Sequence, residues 1–467
     1  MRRTRFGQGL LAVLALGSTT VVAAGGVSAA TPKALSVTWM KGYAAPGTPA
    51  RYDKVGVIKV GPSTAKNVLV LEPGTSAGGA YFVPLAQWIV SRTRGWQVWS
   101  VERRENLLED QSELNLFKEG KATATQLFDY YLGYLNNKSV TTHFQTIPTS
   151  TVEFAKQWGM KVAVEDLHRV IKAAAKLGGK VVLGGHSLGG AVVTAYATWN
   201  FKGRAGADAL AGLVYIDGGS LSAVTQQTAT QELHALDLPG ATPWLAFGGI
   251  APPYAGLFNA TGSAAALLDP DDPSLGQTSG LLPADIVPKV PVTNLGQYGY
   301  ALNAATSPPS LAAAQGHLGV GLTTTGPVHG WNGTGALTPI TRFATMFSGY
   351  PMTNVDGTEW YFPQRLTDDT GAVDNGNPNP AQKTLDLDAT MGHHLPRDLR
   401  IYAFGAHLGG AAVLQDARLL ARQSHIPSSH LTLVNRQSTY SHNDPAGAYP
   451  DNVFFSDLIP FLHKVVS

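Results

Sequence analysis

Short apolar runs alternate with stretches of helical spacing along two parts of the chain. The runs are rich in Val, Leu and Ile, which is typical of strands buried on both faces of a parallel sheet, and they predict strands over 67–72, 96–101, 180–183, 213–216, 400–404 and 430–434. Apolar residues that recur every three or four positions predict helices over 80–90, 164–177, 191–199, 411–423 and 456–466. The alternation predicts an α/β fold, in which helices cover both faces of a mostly parallel sheet.

Two stretches interrupt this alternation. Residues 104–150 are polar and irregular, and we expect them to lie outside the sheet. Residues 220–395 contain many Pro and Gly and thirteen aromatic residues, which either line an apolar pocket or form a core of their own. Because this block stands between two predicted strands, we expect a cap insertion over the edge where strand C-termini gather and where open α/β sheets bind ligands. The core would then comprise 31–219 and 396–467; a separate second domain is the alternative.

Residues 1–30 have the layout of a secretory signal peptide. Three arginines in the first five residues precede an apolar run, LLAVLALG, and Ser28-Ala29-Ala30 supplies small residues for cleavage. The apolar run is shorter and more interrupted than the ~20 residues that span a bilayer. We therefore expect a secreted protein without a stable membrane span. The general export route is favoured over the twin-arginine route that Arg2-Arg3 weakly indicates.

Composition narrows the classes of function. Outside residues 1–30, 31 basic residues face 32 acidic ones, and no long run of either sign predicts a nucleic acid or an anionic membrane as partner. The chain has no Cys, which excludes disulfides, thiol nucleophiles and Cys-ligated metals. It also lacks H-E-x-x-H and similar motifs, so we expect neither a metal nor another cofactor.

The segment VVLGGHSLGGAVVTAY, residues 181–196, places Ser187 between a predicted strand and a predicted helix. A G-x-S-x-G sequence in that context indicates a sharp turn that exposes the serine as a nucleophile. Gly185 and Gly189 leave room around such a turn, and the backbone N–H of Leu188, at the start of the helix, points toward the same space. The alternative is an ordinary tight turn that happens to contain Ser.

With GHSLGG in this context, the chain resembles the α/β-hydrolase superfamily in its lipase and esterase form. The resemblance covers the strand–helix pattern of roughly 65–220 and 396–467 and does not extend to the insertion. It implies the chain order Ser, acid, His, with the His in the loop after the last strand. His442, in TYSHNDP, matches that position. Other histidines lie in the last strand or final helix, or precede the last strand: His430, His463, His393, His394 and His407.

The acid of the triad is harder to assign. The superfamily usually places it just after the penultimate strand, but RIYAFGAHLGGAAVLQD has no carboxylate before Asp416, which lies in a predicted helix. Some lipases carry the acid after the strand that follows the nucleophile helix, where this chain has Asp217 in VYIDGGS. We predict Asp217 as the acid. Asp416 and Asp444 are the alternatives, and a purely structural role for Asp217 at the strand end stays open.

A serine hydrolase needs two backbone N–H groups that stabilise the negative charge developing on the substrate's carbonyl oxygen. We expect Leu188 to supply one of them and the loop EPGTSAGGAY to supply the other. Thr75 is favoured over Ser76, and a plain glycine-rich loop is the alternative. These expectations describe a serine hydrolase that cleaves small-molecule or lipid-like carboxylic esters through an acyl-enzyme. Amide or peptide hydrolysis with the same triad is the next alternative, and a non-catalytic binding protein on this fold is a more distant one.

Overall fold

The computed structural model describes residues 35–220 and 224–467, so the predicted signal peptide, 1–30, lies outside the described residues. The strands are β1 Val37–Lys41, β2 Lys54–Val60, β3 Asn67–Glu72, β4 Trp96–Glu102, β5 Val181–His186, β6 Gly212–Ile216, β7 Gly321–Leu322, β8 Trp331–Asn332, β9 Arg400–Gly405 and β10 Leu431–Asn435. The helices are α1 Val83–Arg92, α2 Ser112–Lys118, α3 Ala124–Tyr131, α4 Met160–Ala175, α5 Leu188–Thr198, α6 Gln226–Asp237, α7 Tyr254–Leu268, α8 Leu275–Thr278, α9 Asn294–Leu302, α10 Ile340–Ser348, α11 Gln364–Thr370, α12 Pro380–Leu385, α13 Gly410–Gln423, α14 Asp444–Gly447 and α15 Val453–Val466. Among these, no helix has the length and apolar character needed to span a membrane.

An eight-stranded sheet in the order β1-β2-β4-β3-β5-β6-β9-β10 forms the centre of the fold. From β4 to β10 neighbouring strands pair in parallel, while β2 is antiparallel to both β4 and β1. This confirms the predicted fold class, a mostly parallel sheet of the α/β-hydrolase type. The two antiparallel strands were not predicted, although the Val- and Ile-rich sequence of β2, KVGVIKV, carries a strand signal.

The strands are continuously apolar because both faces of the sheet are covered. In β3, Val68 and Val70 belong to one buried cluster, whereas Leu69 and Leu71 belong to another. Apolar residues of α4, α5 and α13 complete the first cluster, and those of α1 and α15 complete the second. Since successive side chains of a strand point to opposite faces, each run supplies both cores at once.

The segment 104–150 lies outside the sheet, as expected, and its irregular sequence nevertheless forms the helices α2 and α3. α2 and α3 have seven and eight residues, too few for a clear apolar periodicity, and they are stabilised by tertiary packing rather than by their own length. They share a third apolar cluster with α7 of the insertion, which includes Leu114, Leu127 and Leu257.

Residues 220–395 lie between β6 and β9, as the sequence predicts, and are built of short helices and the two-residue strands β7 and β8. The described residues from Leu35 to Ser467 form one compact unit. The C-terminal ends of β3, β5, β6, β9 and β10 meet at one edge of the sheet because these strands are parallel. Thr75, Ser187, Asp217 and His442 lie in the segments that follow those ends, Leu188 is the first residue of α5, and Asp416 and Asp444 lie in α13 and α14.

Candidate active site

Ser187 connects β5 directly to α5 with a backbone conformation that few residues adopt. Its φ is 56° and its ψ is −127°, which for a residue with a side chain costs of order 1–3 kcal/mol. The turn needs glycine on both sides. A Cβ on Gly185 would overlap the carbonyl oxygen of Gly189, and a Cβ on Gly189 would overlap that of Glu72. The glycines are therefore the steric condition for a turn that holds Ser187 at the sheet edge.

His442 and Asp217 form a buried hydrogen-bonded pair. The Nδ1–H of His442 donates to Oδ2 of Asp217 across 2.7 Å, and both side chains are excluded from solvent. Because Nδ1 carries the proton in this bond, Nε2 of the neutral ring is left as an acceptor. Ser187 and His442 line the same cavity, and within the described residues no hydrogen bond joins the serine hydroxyl to the ring.

Asp217 lies in a cradle of backbone N–H groups contributed by the loop after β9. Oδ1 accepts from Ala406 at 2.7 Å, Gly409 at 2.9 Å and Gly410 at 3.2 Å, and Oδ2 accepts from Leu408 at 3.2 Å. Burial tends to raise the pKa of Asp217, but the hydrogen bond and charge of His442 and the N–H of Ala406 outweigh it and hold the pKa below its usual value. The loop after β9, which has no carboxylate of its own, thus binds the carboxylate of Asp217, which follows β6.

Neither alternative carboxylate contacts His442. Asp416 lies on α13, where burial raises its pKa to about 6 and its Oδ2 has no hydrogen-bond partner among the described residues. Asp444 is hydrogen-bonded instead to Nδ1 of His317 at 2.6 Å, and it also accepts from Thr338 and from the backbone of Ser441. Asp217 is the predicted acid that lies next to the predicted base.

The two predicted oxyanion donors differ in position. Thr75 lies in the loop after β3 and lines the cavity with Ser187, whereas Leu188 occupies the first position of α5 and is not among the lining residues. Among the described residues, neither backbone N–H donates to a protein acceptor. At the start of a helix such a free N–H is expected, since the first turn has no carbonyl before it.

The cavity around Ser187 has a volume of about 190 Å³. Its wall combines loops of the sheet edge with residues of the insertion, which include Phe247, Ala255, Asn259, Ala314 and Phe347. Within residues 35–220 and 224–467, no group of three or more His, Cys, Asp or Glu side chains is arranged to bind a metal ion.

Three residues near the pair were missed by the sequence analysis. His186, one residue before Ser187, donates from Nε2 to the backbone carbonyl of His442 at 2.9 Å, and burial together with the neighbouring His442 lowers the pKa of His186. The ring of Tyr81 stacks on His186, and its hydroxyl donates to Asn443 at 2.9 Å. These contacts hold the loop that carries His442. Only His186 had a signal in the sequence, its place inside GHSLGG.

Arg103 lies behind the loop that carries Thr75 and was also missed. Its buried guanidinium forms ion pairs of 2.8 Å with Glu72 and with Glu359. It also donates to the backbone carbonyls of Pro73, of Gly74 at 3.2 Å and of Ala77 at 3.4 Å. In a trans peptide the C=O and the following N–H point in opposite directions. The bond to the Gly74 carbonyl therefore directs the N–H of Thr75 away from Arg103.

The sequence matches no family model and no curated protein. Among solved structures, it is similar to a candidate lipase from Sulfolobus solfataricus (14% identity, TM-score 0.45, covering 92% of this chain and 93% of that one). Others are a carboxyl esterase from Bacillus coagulans (11%, 0.40, 93% and 99%) and a monoglyceride lipase from Saccharomyces cerevisiae (11%, 0.35, 89% and 92%). Similarity at this level does not extend the properties of those proteins to this chain.

Proposed function

We propose that the protein is a serine hydrolase that cleaves carboxylic esters through an acyl-enzyme. The observation that carries this proposal is the single cavity lined by both Ser187 and His442, with His442 bonded to Asp217 at 2.7 Å. A serine hydroxyl is a weak nucleophile until a neighbouring base removes its proton, and a base of this kind needs a third group to orient it. Ser187, His442 and Asp217 are the nucleophile, the base and the orienting group of this proposal.

In the proposed reaction Oγ of Ser187 attacks the ester carbonyl while Nε2 of His442 takes the hydroxyl proton. Asp217 holds the ring so that Nδ1 keeps its hydrogen and stabilises the imidazolium that forms. His442 then returns the proton to the departing alcohol, and a water molecule, activated by the same ring, hydrolyses the acyl-enzyme. The hydroxyl must come within hydrogen-bond reach of Nε2 when substrate binds, since such bonds commonly shorten only in the complex.

The negative charge that develops on the carbonyl oxygen needs N–H donors that are already in place. We assign this role to the backbone of Thr75 and Leu188, which flank Ser187 in space and in sequence and whose N–H groups are free of protein acceptors among the described residues. Loss of one such donor typically reduces kcat by ~10²–10³. We also propose that residues 220–395 act as a cap, because several of them complete the cavity wall.

The test combines a fluorophosphonate probe with an ester substrate. The folded protein should be labelled at Ser187 and should hydrolyse p-nitrophenyl acetate, whereas Ser187→Ala, with an unchanged melting temperature, should show neither reaction. If Ser187 is labelled and the protein hydrolyses a matched p-nitroanilide but not the ester, the substrates are amides rather than esters. Absence of labelling in folded wild-type protein would refute the enzyme proposal and favour a binding protein.

Export is proposed on the sequence of residues 1–30 alone. Expression in a secreting bacterial host should yield mature protein in the medium with its N-terminus just after Ala30, as read by N-terminal sequencing. Retention of the full chain in the cells would contradict this proposal.

A further inference from the structure

A second cavity lies between α3 and the helices of the insertion. Its volume is about 160 Å³, and it is lined by α3, α7, α9 and neighbouring loops. Apolar side chains form most of its wall, among them Leu127, Phe128, Phe258, Ala265, Leu282 and Leu302. We call it the apolar cavity. Among the described residues, no charged side chain lines it.

Polar residues on the wall of the apolar cavity are largely occupied by the protein itself. The hydroxyl of Thr261 donates to the Leu257 carbonyl at 2.7 Å, and Nε2 of Gln297 donates to that of Ile286 at 2.7 Å. Tyr298 donates from its hydroxyl to Oδ1 of Asn259 at 3.1 Å. Oε1 of Gln297 is buried and has no hydrogen-bond partner among the described residues. At the other groups a polar ligand would have to compete with these bonds, so the predominantly apolar wall favours a hydrocarbon group.

The apolar cavity adjoins the catalytic one. Phe247, Ala255, Asn259 and Ala314 line both of them, so the two spaces share part of their wall. A ligand held at both places would have its reactive end beside Ser187 and a hydrocarbon part beyond these four residues.

We propose that the apolar cavity binds the acyl chain of the ester and thereby selects medium-length chains. This rests on the proposed function. A dry cavity of about 150 Å³ accommodates a six-carbon ring, so a space of this size holds roughly six carbons. With the carbonyl carbon and its neighbour in the catalytic cavity, the preferred acyl group has about eight carbons. Acetyl esters leave the apolar cavity empty, and much longer chains exceed it.

Two segments that are far apart in the sequence form the wall of the apolar cavity, so no local sequence motif indicates it. α3 belongs to the stretch 104–150, whereas α7 and α9 belong to the insertion, and their packing against one another encloses the space. The acyl preference is therefore a property of the two stretches that interrupt the core pattern.

The experiment measures kcat/KM for p-nitrophenyl esters from two to fourteen carbons. Burial of each further methylene is expected to raise kcat/KM by up to about fourfold until the acyl chain reaches about eight carbons, after which the value falls. Ala265→Leu, on α7, adds three carbons inside the apolar cavity and should move the maximum to shorter chains, lowering the ratio of kcat/KM for the octanoyl ester to that for the acetyl ester. Ala251→Leu, at an exposed position outside both cavities, is the control and should keep the wild-type profile.

A binding measurement separates this inference from catalysis. Octanoate should raise the melting temperature of Ser187→Ala protein, and the additional Ala265→Leu change should remove most of that shift. If Ala265→Leu does not fold, Ala301→Leu, on the part of the wall formed by α9, serves in both assays. A wild-type profile that falls steadily from acetate, or one unchanged by the cavity variant, overturns the acyl-chain inference and leaves the esterase proposal intact. Absence of Ser187-dependent hydrolysis for every ester overturns both.

Discussion

Replacement of Asp217 by Asn tests the site at the point where the sequence was most ambiguous. The carboxylate receives only N–H donors, three at Oδ1 and two at Oδ2. A carboxamide must place its NH₂ at one of these positions. At Oδ1 it would leave the backbone N–H groups of Ala406 and Gly409 without an acceptor, each at ~1–3 kcal/mol, whereas that of Gly410 also donates to the Ala406 carbonyl and keeps this partner. At Oδ2 it leaves only the N–H of Leu408 unpaired, provided that His442 accepts the new N–H at Nδ1.

The second arrangement costs fewer hydrogen bonds, so we expect it to be adopted. It forces the hydrogen of His442 onto Nε2, which then cannot take the proton of Ser187. Loss of the orienting carboxylate reduces kcat by ~10⁴ in hydrolases with this triad, and we expect a loss of that order with a destabilisation of ~1–3 kcal/mol. The assay is kcat for p-nitrophenyl ester hydrolysis, with the free energy of unfolding measured by urea denaturation.

Asp416→Asn is the matched control, because Asp416 has no contact with His442 and should retain wild-type kcat. The folded pKa of Asp217 is lowered, so its contribution to stability is complete above about pH 4 and disappears as the pH falls through the folded value. The stability difference between wild type and Asp217→Asn should shrink accordingly in acid. An Asp217→Asn protein with more than a tenth of wild-type kcat, or an inactive Asp416→Asn protein, would refute the assignment.

Two further predictions concern Arg103, behind the loop that carries Thr75, and the ion pair between His317 and Asp444. Arg103→Lys keeps the positive charge between Glu72 and Glu359 but lacks the planar guanidinium that reaches three backbone carbonyls. We therefore expect kcat to fall by ~10² with little change in KM. Equal kcat values for wild type and variant would contradict the role given to Arg103. The hydrogen bond to Asp444 raises the pKa of His317, so the ion pair stabilises fully below about pH 6.5 and is lost as the pH rises through the folded value. The melting-temperature difference between wild type and His317→Gln should therefore be larger at pH 6 than at pH 9, and a difference independent of pH would argue against this.

Much of the fold could be predicted from the sequence because its causes are local. The run from Asn67 to Glu72 is apolar at every interior position, since both faces of β3 are buried. GHSLGG indicates its turn because the clash of a Cβ at Gly189 with the Glu72 carbonyl arises from the geometry of the turn itself. Such constraints act between residues a few positions apart or between adjacent strands, and they leave a pattern that can be recognised without the tertiary structure.

The partners of Ser187 depended on contacts between distant parts of the chain. Asp217 was one of three carboxylates until the N–H groups of residues 406–410 were seen to surround it, about 190 positions away. Arg103 had no motif, because its role comes from carbonyls of a loop that follows another strand. The apolar cavity forms only when α3 packs against α7 and α9. By itself the sequence determined where the chain turns and which residue the turn exposes. Only the tertiary structure decided which distant groups meet there, because a backbone N–H donor or a cavity wall can be supplied by many residue types and so produces no sequence motif.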